Sequence, residues 1–306
     1  MHKKVILFIF SFSILYASAL IAAPKSEMIV IKEEPKLAAP EKIELKGSER
    51  HSELSSSVGP IDLRWQRDVE VFFGKTPERA MIEASQAVSR ALNKGGFPVS
   101  LTNLKIHWNV VFFNENLPSG QIPNSLISGC HPGWMTSNGD VVNIYIRAKA
   151  VVAGCTGADP VKGSVADARL AQVIIHEMGH GIEFYLGKGK LKQDRLRAEG
   201  FATWFEQYTA EFSSTLRGGD VRKYFQKLAR KRKEIAPEIF SFNGSAYDYA
   251  YASMYFTALE KRFGVRGLFK VYETMIGKGL DLFSSIEERF HWSRGRLEDE
   301  VQKVID

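Results

Sequence analysis

The stretch Ala171–Gly187, AQVIIHEMGHGIEFYLG, decides the reading of this chain. It sets His176, Glu177 and His180 among Val173, Ile174, Ile175, Met178 and Ile182. Burying two imidazoles and a carboxylate in such a segment is costly unless something satisfies them. His176 and His180 are four residues apart, so on a helix they share one face, one turn apart. Two neutral imidazoles so placed can bind one metal ion. Glu177 lies on the adjoining edge, within reach of a water on that metal, which is the H-E-x-x-H arrangement. Gly179 and Gly181 flank the second histidine. Glycine inside a helix costs stability, and small residues there suit close packing beside a site.

A catalytic zinc ion has three protein ligands and an open position. A further histidine at the metzincin spacing is ruled out, because Glu183 and Leu186 stand where Gly and His are needed. A glutamate from a following helix is the other common solution. RLRAEGFATWFEQY offers Glu199, separated from His180 by 18 residues, and Glu206, seven residues further along the same face.

HEMGH, 18 residues and then EGFATWFE resemble the gluzincin metallopeptidases, above all the catalytic core shared by thermolysin-like enzymes and zinc aminopeptidases. The likeness runs from about Asn143 to Gly264 and weakens toward the C-terminus. It implies a zincin-like domain holding one Zn2+ on His176, His180 and Glu199. Glu177 would then be the general base, and Glu206 would orient a ligand histidine. It further implies a tyrosine that bonds the oxygen on which charge develops. Counting back from Gly264 gives Tyr249, with Tyr247 and Tyr251 as alternates. Relatives also bind substrate backbone along an edge strand ahead of the HExxH helix, and VVNIYIRA, Val141–Ala148, is in that place. The G-x-M-E-N motif by which the exopeptidase branch holds a free amino terminus is absent. The resemblance therefore implies an endopeptidase acting on a peptide or protein substrate. A zinc-holding scaffold without turnover is the alternative.

The rest of the chain frames this segment. Its 306 residues are 44% hydrophobic and 25% charged, enough apolar content for a sizeable core. MHKKVILFIFSFSILYASALIAA has the basic start, apolar run and small-residue tail of a secretory signal over residues 1–23, with an uncleaved membrane anchor as the alternative. Removing Lys3 and Lys4 lowers the formal charge from +6 to +4, too mild to imply a nucleic-acid partner. No later segment is apolar enough to span a membrane. In an exported protein the two cysteines, Cys130 and Cys155, are expected to form one disulfide.

Residues 24–59 are rich in Lys, Glu, Pro and Ser and read as a linker or pro-segment with little structure. The folded domain is expected over 60–306, with a sheet subdomain to 165 and a helical subdomain from 166. Strands are expected at Asp68–Gly74, Leu104–Glu115 and Asp140–Val152, with a helix after Thr76-Pro77 that stops at Gly95-Gly96. Helices follow from Ala166 onward, including a basic one from Asp220 with Val221, Phe225 and Leu228 inward. His131 and His291 fit no ligand spacing and read as structural. A small mixed sheet followed by a helical lobe makes the fold α+β.

Overall fold

The register of the sheet fixes which face meets the helices, and its central strands His107–Phe113 and Val141–Arg147 are buried on both faces. The computed structural model describes residue 45 and residues 48–114, 131–153, 160–235 and 242–306. The expected signal segment and both cysteines lie outside these residues. Strands β1 (Glu49–Leu54), β2 (Ile61–Gln66), β3 (His107–Phe113), β4 (Gly133–Asn138) and β5 (Val141–Arg147) form one sheet in the order β1-β2-β3-β5-β4. The two outer pairings are antiparallel, and β2-β3 and β3-β5 are parallel. Leu63, Val110, Ile144 and Met135 align across four strands and face the main core. The opposite face carries a second cluster of Val111, Phe113, Trp134 and Tyr145 with Leu45. There Trp134 and Tyr145 stack at 5.2 Å.

The helices pack against the Leu63–Ile144 face. Helix α1 (Pro77–Lys94) starts where Thr76 accepts from the Arg79 amide at 3.3 Å, with Pro77 in its first turn. Two short helices, α2 (Val99–Thr102) and α3 (Ala148–Ala153), flank β3 and β5. Helix α4 (Gly163–Gly187) carries the HExxH residues. α5 (Arg195–Ala210), α6 (Gly218–Ile235), α7 (Ala246–Lys278), α8 (Leu282–Phe290) and α9 (Arg294–Ile305) complete the body. Gly264 breaks α7 internally: this residue has φ 68° and ψ 173°, and the helix resumes to Lys278. A hydrogen-bonded cap of Ser245 and Asp248 fixes its start. All strands precede Arg147 and the long helices from α4 onward follow, so the α+β organisation is present.

Several local expectations are corrected. Asp68–Gly74 is not a strand: Arg67–Phe72 is a 3-10 helix. Side chains hold it, with Trp65 Nε1 donating to Glu70 at 2.8 Å and Asn114 Nδ2 donating to Asp68 at 3.1 Å. Its alternating Val71 points into solvent, 76% exposed. Strand β1 falls within the segment read as unstructured, and pairing with β2 rather than its own composition orders it. Val141–Ala148 is not an edge strand. It lies between β3 and β4, and the edge beside α4 is β4, a strand too poor in apolar residues to announce itself. Helix α8 went unanticipated for lack of a long apolar period. Among the described residues no helix is long and apolar enough to cross a membrane.

Helix α4 reaches the sheet only because Gly181 has no side chain. A Cβ there would lie 2.7 Å from the ring of Trp108 and 3.0 Å from Val142. Trp108 is fully buried, and its indole N–H donates to the Val58 carbonyl at 2.8 Å, so it cannot step aside. Gly181→Val is therefore expected to cost about 1–3 kcal/mol through overpacking. Urea unfolding followed by circular dichroism checks this, and an unchanged midpoint would show that the contact yields.

Candidate metal centre

Two close helix crossings set the geometry of the site. A Cβ at Gly179 would lie 3.2 Å from Ala202 Cα, so α4 and α5 meet nearly backbone to backbone there. On the far side of α5, a Cβ at Gly200 would lie 2.9 Å from the Ala252 carbonyl oxygen of α7. Glu199 precedes Gly200, so its direction is fixed between these contacts. Asp194 caps α5 by accepting from the Arg197 amide at 3.2 Å.

The result is convergence. Glu199 Oε2 is 3.4 Å from His176 Nε2 and 3.3 Å from His180 Nε2. One ligand atom from each of His176, His180 and Glu199 lies within 4.8 Å of the others. Tetrahedral zinc, with bonds of about 2.0–2.2 Å, needs ligand atoms roughly 3.3–3.6 Å apart. The two edges to Glu199 meet that requirement, and the N2O donor set is one that zinc accepts. The residues present fit the ion.

Further groups surround the triad. Glu206 Oε2 lies 3.5 Å from His176 Nδ1, on the side opposite the ligand nitrogen, and Gln172 Nε2 donates to its other oxygen at 3.0 Å. Glu177 is 5% exposed and faces the edge strand. A Cβ at Gly133 of β4 would stand 2.8 Å from Val173 Cγ1 and 2.9 Å from Glu177 Oε1, so glycine here lets the strand lie close against α4. Tyr249 places its ring 6.2 Å from that of His176. Tyr251 instead donates to Glu298 on α9 at 2.8 Å, and Tyr247 packs against the core.

Burial acts on every charge here. It opposes protonation of His176, but Glu199, Glu206 and Glu177 outweigh it and raise the imidazole pKa to about 10. Glu199 is pushed up by burial and pulled further down by His180 and His176, to well below the usual carboxylate range. Burial pushes Glu177 upward against the opposing pull of the two histidines, and it raises Glu206 as well. Without a metal, a proton on His176 serves as the cation that these carboxylates require.

Some neighbours carried no sequence signal. Arg195 opens α5 with its Nε 3.9 Å from Glu199 Oε1, and its guanidinium lies 5.4 Å from the Phe242 ring centre. A cation at a helix N-terminus opposes the helix dipole, and that was the available hint. His131, expected to be structural, lies within electrostatic reach of Arg195 and Glu199, and burial lowers its pKa. His291 is exposed at the end of α8, far in sequence from the triad and in a left-handed turn. Behind the site, Glu183 accepts from Arg197 at 3.1 Å and from the Tyr272 hydroxyl at 2.5 Å, a buried link between α4, α5 and α7.

No protein-family model and no curated protein matches the chain. Among solved structures it is similar to an M1 zinc metallopeptidase from Deinococcus radiodurans, with 13% identity and TM-score 0.42 over 85% of this chain and 52% of that one. A mutant of that enzyme gives 12% identity and TM-score 0.44, with the same coverage. A two-domain M1 zinc metallopeptidase mutant bound to L-tryptophan gives 13% and 0.40, covering 85% of this chain and 51% of that one. The chain spans about half the length of these structures. At such distance the chemistry rests on the side chains themselves.

The purified protein is expected to hold about one zinc ion per chain, measured by mass spectrometry of the metal. His180→Ala and Glu199→Ala should each lower that content to near background. Because the His176 pKa is raised to about 10 without metal, loading near neutral pH must displace a proton, and affinity should rise with pH up to that value. Calorimetry in buffers of different ionisation enthalpy should show about one proton released per zinc. A count near zero would show that His176 is not the protonated group.

Proposed function

We propose that this chain is an exported zinc-dependent peptidase that hydrolyses internal peptide bonds. The observation that carries this is Glu177. Zinc binding by His176, His180 and Glu199 does not need it, yet a buried carboxylate stands beside them, between α4 and the edge strand β4. A scaffold that merely held zinc would gain nothing from that expense.

Zinc held by these three residues would act as a Lewis acid, polarising the scissile carbonyl and making water a nucleophile near neutral pH. Glu177 takes the proton of the attacking water and returns it to the leaving amine. Its burial keeps its pKa above that of an exposed glutamate, closer to the value an acid–base group needs. The Tyr249 hydroxyl donates to the oxygen on which charge develops. Glu206 receives the Nδ1 hydrogen of His176 and so presents Nε2 to the metal. The strand β4, the edge of the sheet among the described residues, offers its backbone to an extended substrate in place of the internal Val141–Ala148 strand. The absent G-x-M-E-N motif favours cleavage within chains over removal of amino-terminal residues. Residues 1–23 route the protein through the membrane, and secretion or a periplasmic location follows.

Wild-type protein should cleave a generic unfolded protein, and a chelator should stop it. Glu177→Gln should retain zinc while the rate falls about 100- to 10,000-fold. Tyr249→Phe should lose about 100- to 1,000-fold in kcat with little change in zinc content. Stoichiometric zinc without chelator-sensitive cleavage would instead establish a metal-holding scaffold.

A further inference from the structure

Arg195 has no task in the chemistry just described, yet it is held at the mouth of the site. Its side chain is 57% exposed. The guanidinium lies over Phe242 at 5.4 Å, and Phe242 itself packs on Tyr249 at 5.3 Å. Arg195 also interacts with the Tyr249 hydroxyl. Phe242 and Tyr249 thus hold the guanidinium beside the ring that faces His176.

The Tyr249 hydroxyl and, at longer range, Glu199 face its charge. Among the described residues its ion-pair partner is Glu199, at 3.9 Å, too long for a hydrogen bond. Glu199 is already committed through its other oxygen to His176 and His180. Once a divalent cation fills the triad, Arg195 faces a second positive centre. Its place in the first turn of α5 adds the positive end of the helix dipole. A mobile arginine would swing away into water. This one lies over Phe242 and bonds the Tyr249 hydroxyl, which leaves a positive, partly exposed fork next to the reacting position.

We propose that Arg195 binds a carboxylate of the substrate close to the scissile bond, making it a specificity determinant of the peptidase site. The inference rests on the peptidase reading. The guanidinium fork matches a carboxylate in two parallel hydrogen bonds, and the aromatic face beneath it keeps the fork in plane. Such a carboxylate comes either from an acidic side chain or from the C-terminus of a short peptide.

Binding tests this apart from turnover. Zinc-loaded Glu177→Gln protein is titrated by fluorescence anisotropy with three labelled peptides of common sequence. One ends in a free carboxylate, one in an amide, and one in an amide with an internal Gln replaced by Glu. At least one acidic peptide should bind about 10- to 100-fold tighter than the neutral one. Which one gains identifies the source of the carboxylate. Adding Arg195→Gln should erase the difference, and Arg195→Lys should keep only part of it. Equal affinities, no binding at all, or a preference that survives Arg195→Gln would each overturn the proposal. The same peptides given to the wild-type protein separate the two readings. Cleavage of all three at equal kcat/KM with equal affinities removes the carboxylate site alone. An Arg195-dependent binding preference without any cleavage removes the peptidase reading alone.

Discussion

The close approach of α4 and α5 at Gly179 and Ala202 is the contact on which the rest depends. Two imidazoles on one helix face define only a line along that helix. A third ligand must arrive from outside it, and Glu199 can do so only if the two backbones come much nearer than ordinary side chains allow. A methyl group at position 179 would push α5 outward by a few tenths of an ångström and lengthen both contacts from Glu199 to the imidazoles. Gly181 acts in the same way on the other side of the helix, drawing α4 down onto Trp108 and Val142. The centre lies where α4 is squeezed between sheet and helix.

That squeeze creates an electrostatic problem. Glu177, Glu199 and Glu206 are gathered in a volume largely closed to water, with His176 and His180 between them. Buried carboxylates are tolerated only when paired. A proton on His176 answers part of the charge, and a divalent cation would answer more of it with the same atoms. Glu206 then has a second use: its contact with Nδ1 settles which imidazole nitrogen faces inward. The buried Glu183–Arg197–Tyr272 link is neutral as a set and sits one turn beyond His180, stiffening the junction of α4, α5 and α7 without adding net charge to the centre.

Helical spacing made His176, Glu177 and His180 legible, because the i, i+4 relation is a property of local backbone and needs no tertiary knowledge. Glu199 and Glu206 were legible only through the resemblance of EGFATWFE to known enzymes; composition alone would not single them out from the other glutamates. The helices from α4 onward, α8 excepted, were legible from their apolar period. Sheet order did not. Val141–Arg147 reads the same whether it is central or at an edge, and β4 has Gly133, Ser137 and Asn138, residues that strands disfavour. Its neighbour β5 supplies the hydrogen bonds that its own sequence does not advertise. Arg195 was illegible for a related reason: its meaning lies in Phe242 and Tyr249, some fifty positions away and brought near by the packing of α5 on α7.

Glycine placement connects these observations. Gly179, Gly181 and Gly200 each sit inside a helix, where glycine costs roughly 0.5–1 kcal/mol relative to alanine. Dispersion contacts from closer helix and sheet packing offset part of that cost, but a stable helical core could be built more cheaply with alanine and wider spacing. The fourth case, Gly133, is in a strand, and its bare backbone lets β4 lie close to Val173 and Glu177 on α4. Local stability has been given up at four positions around one point. In each case the space released is taken by a neighbouring backbone or side chain packed against the site helices, which is the pattern expected when the position of a few polar atoms constrains a sequence more tightly than the stability of its helices.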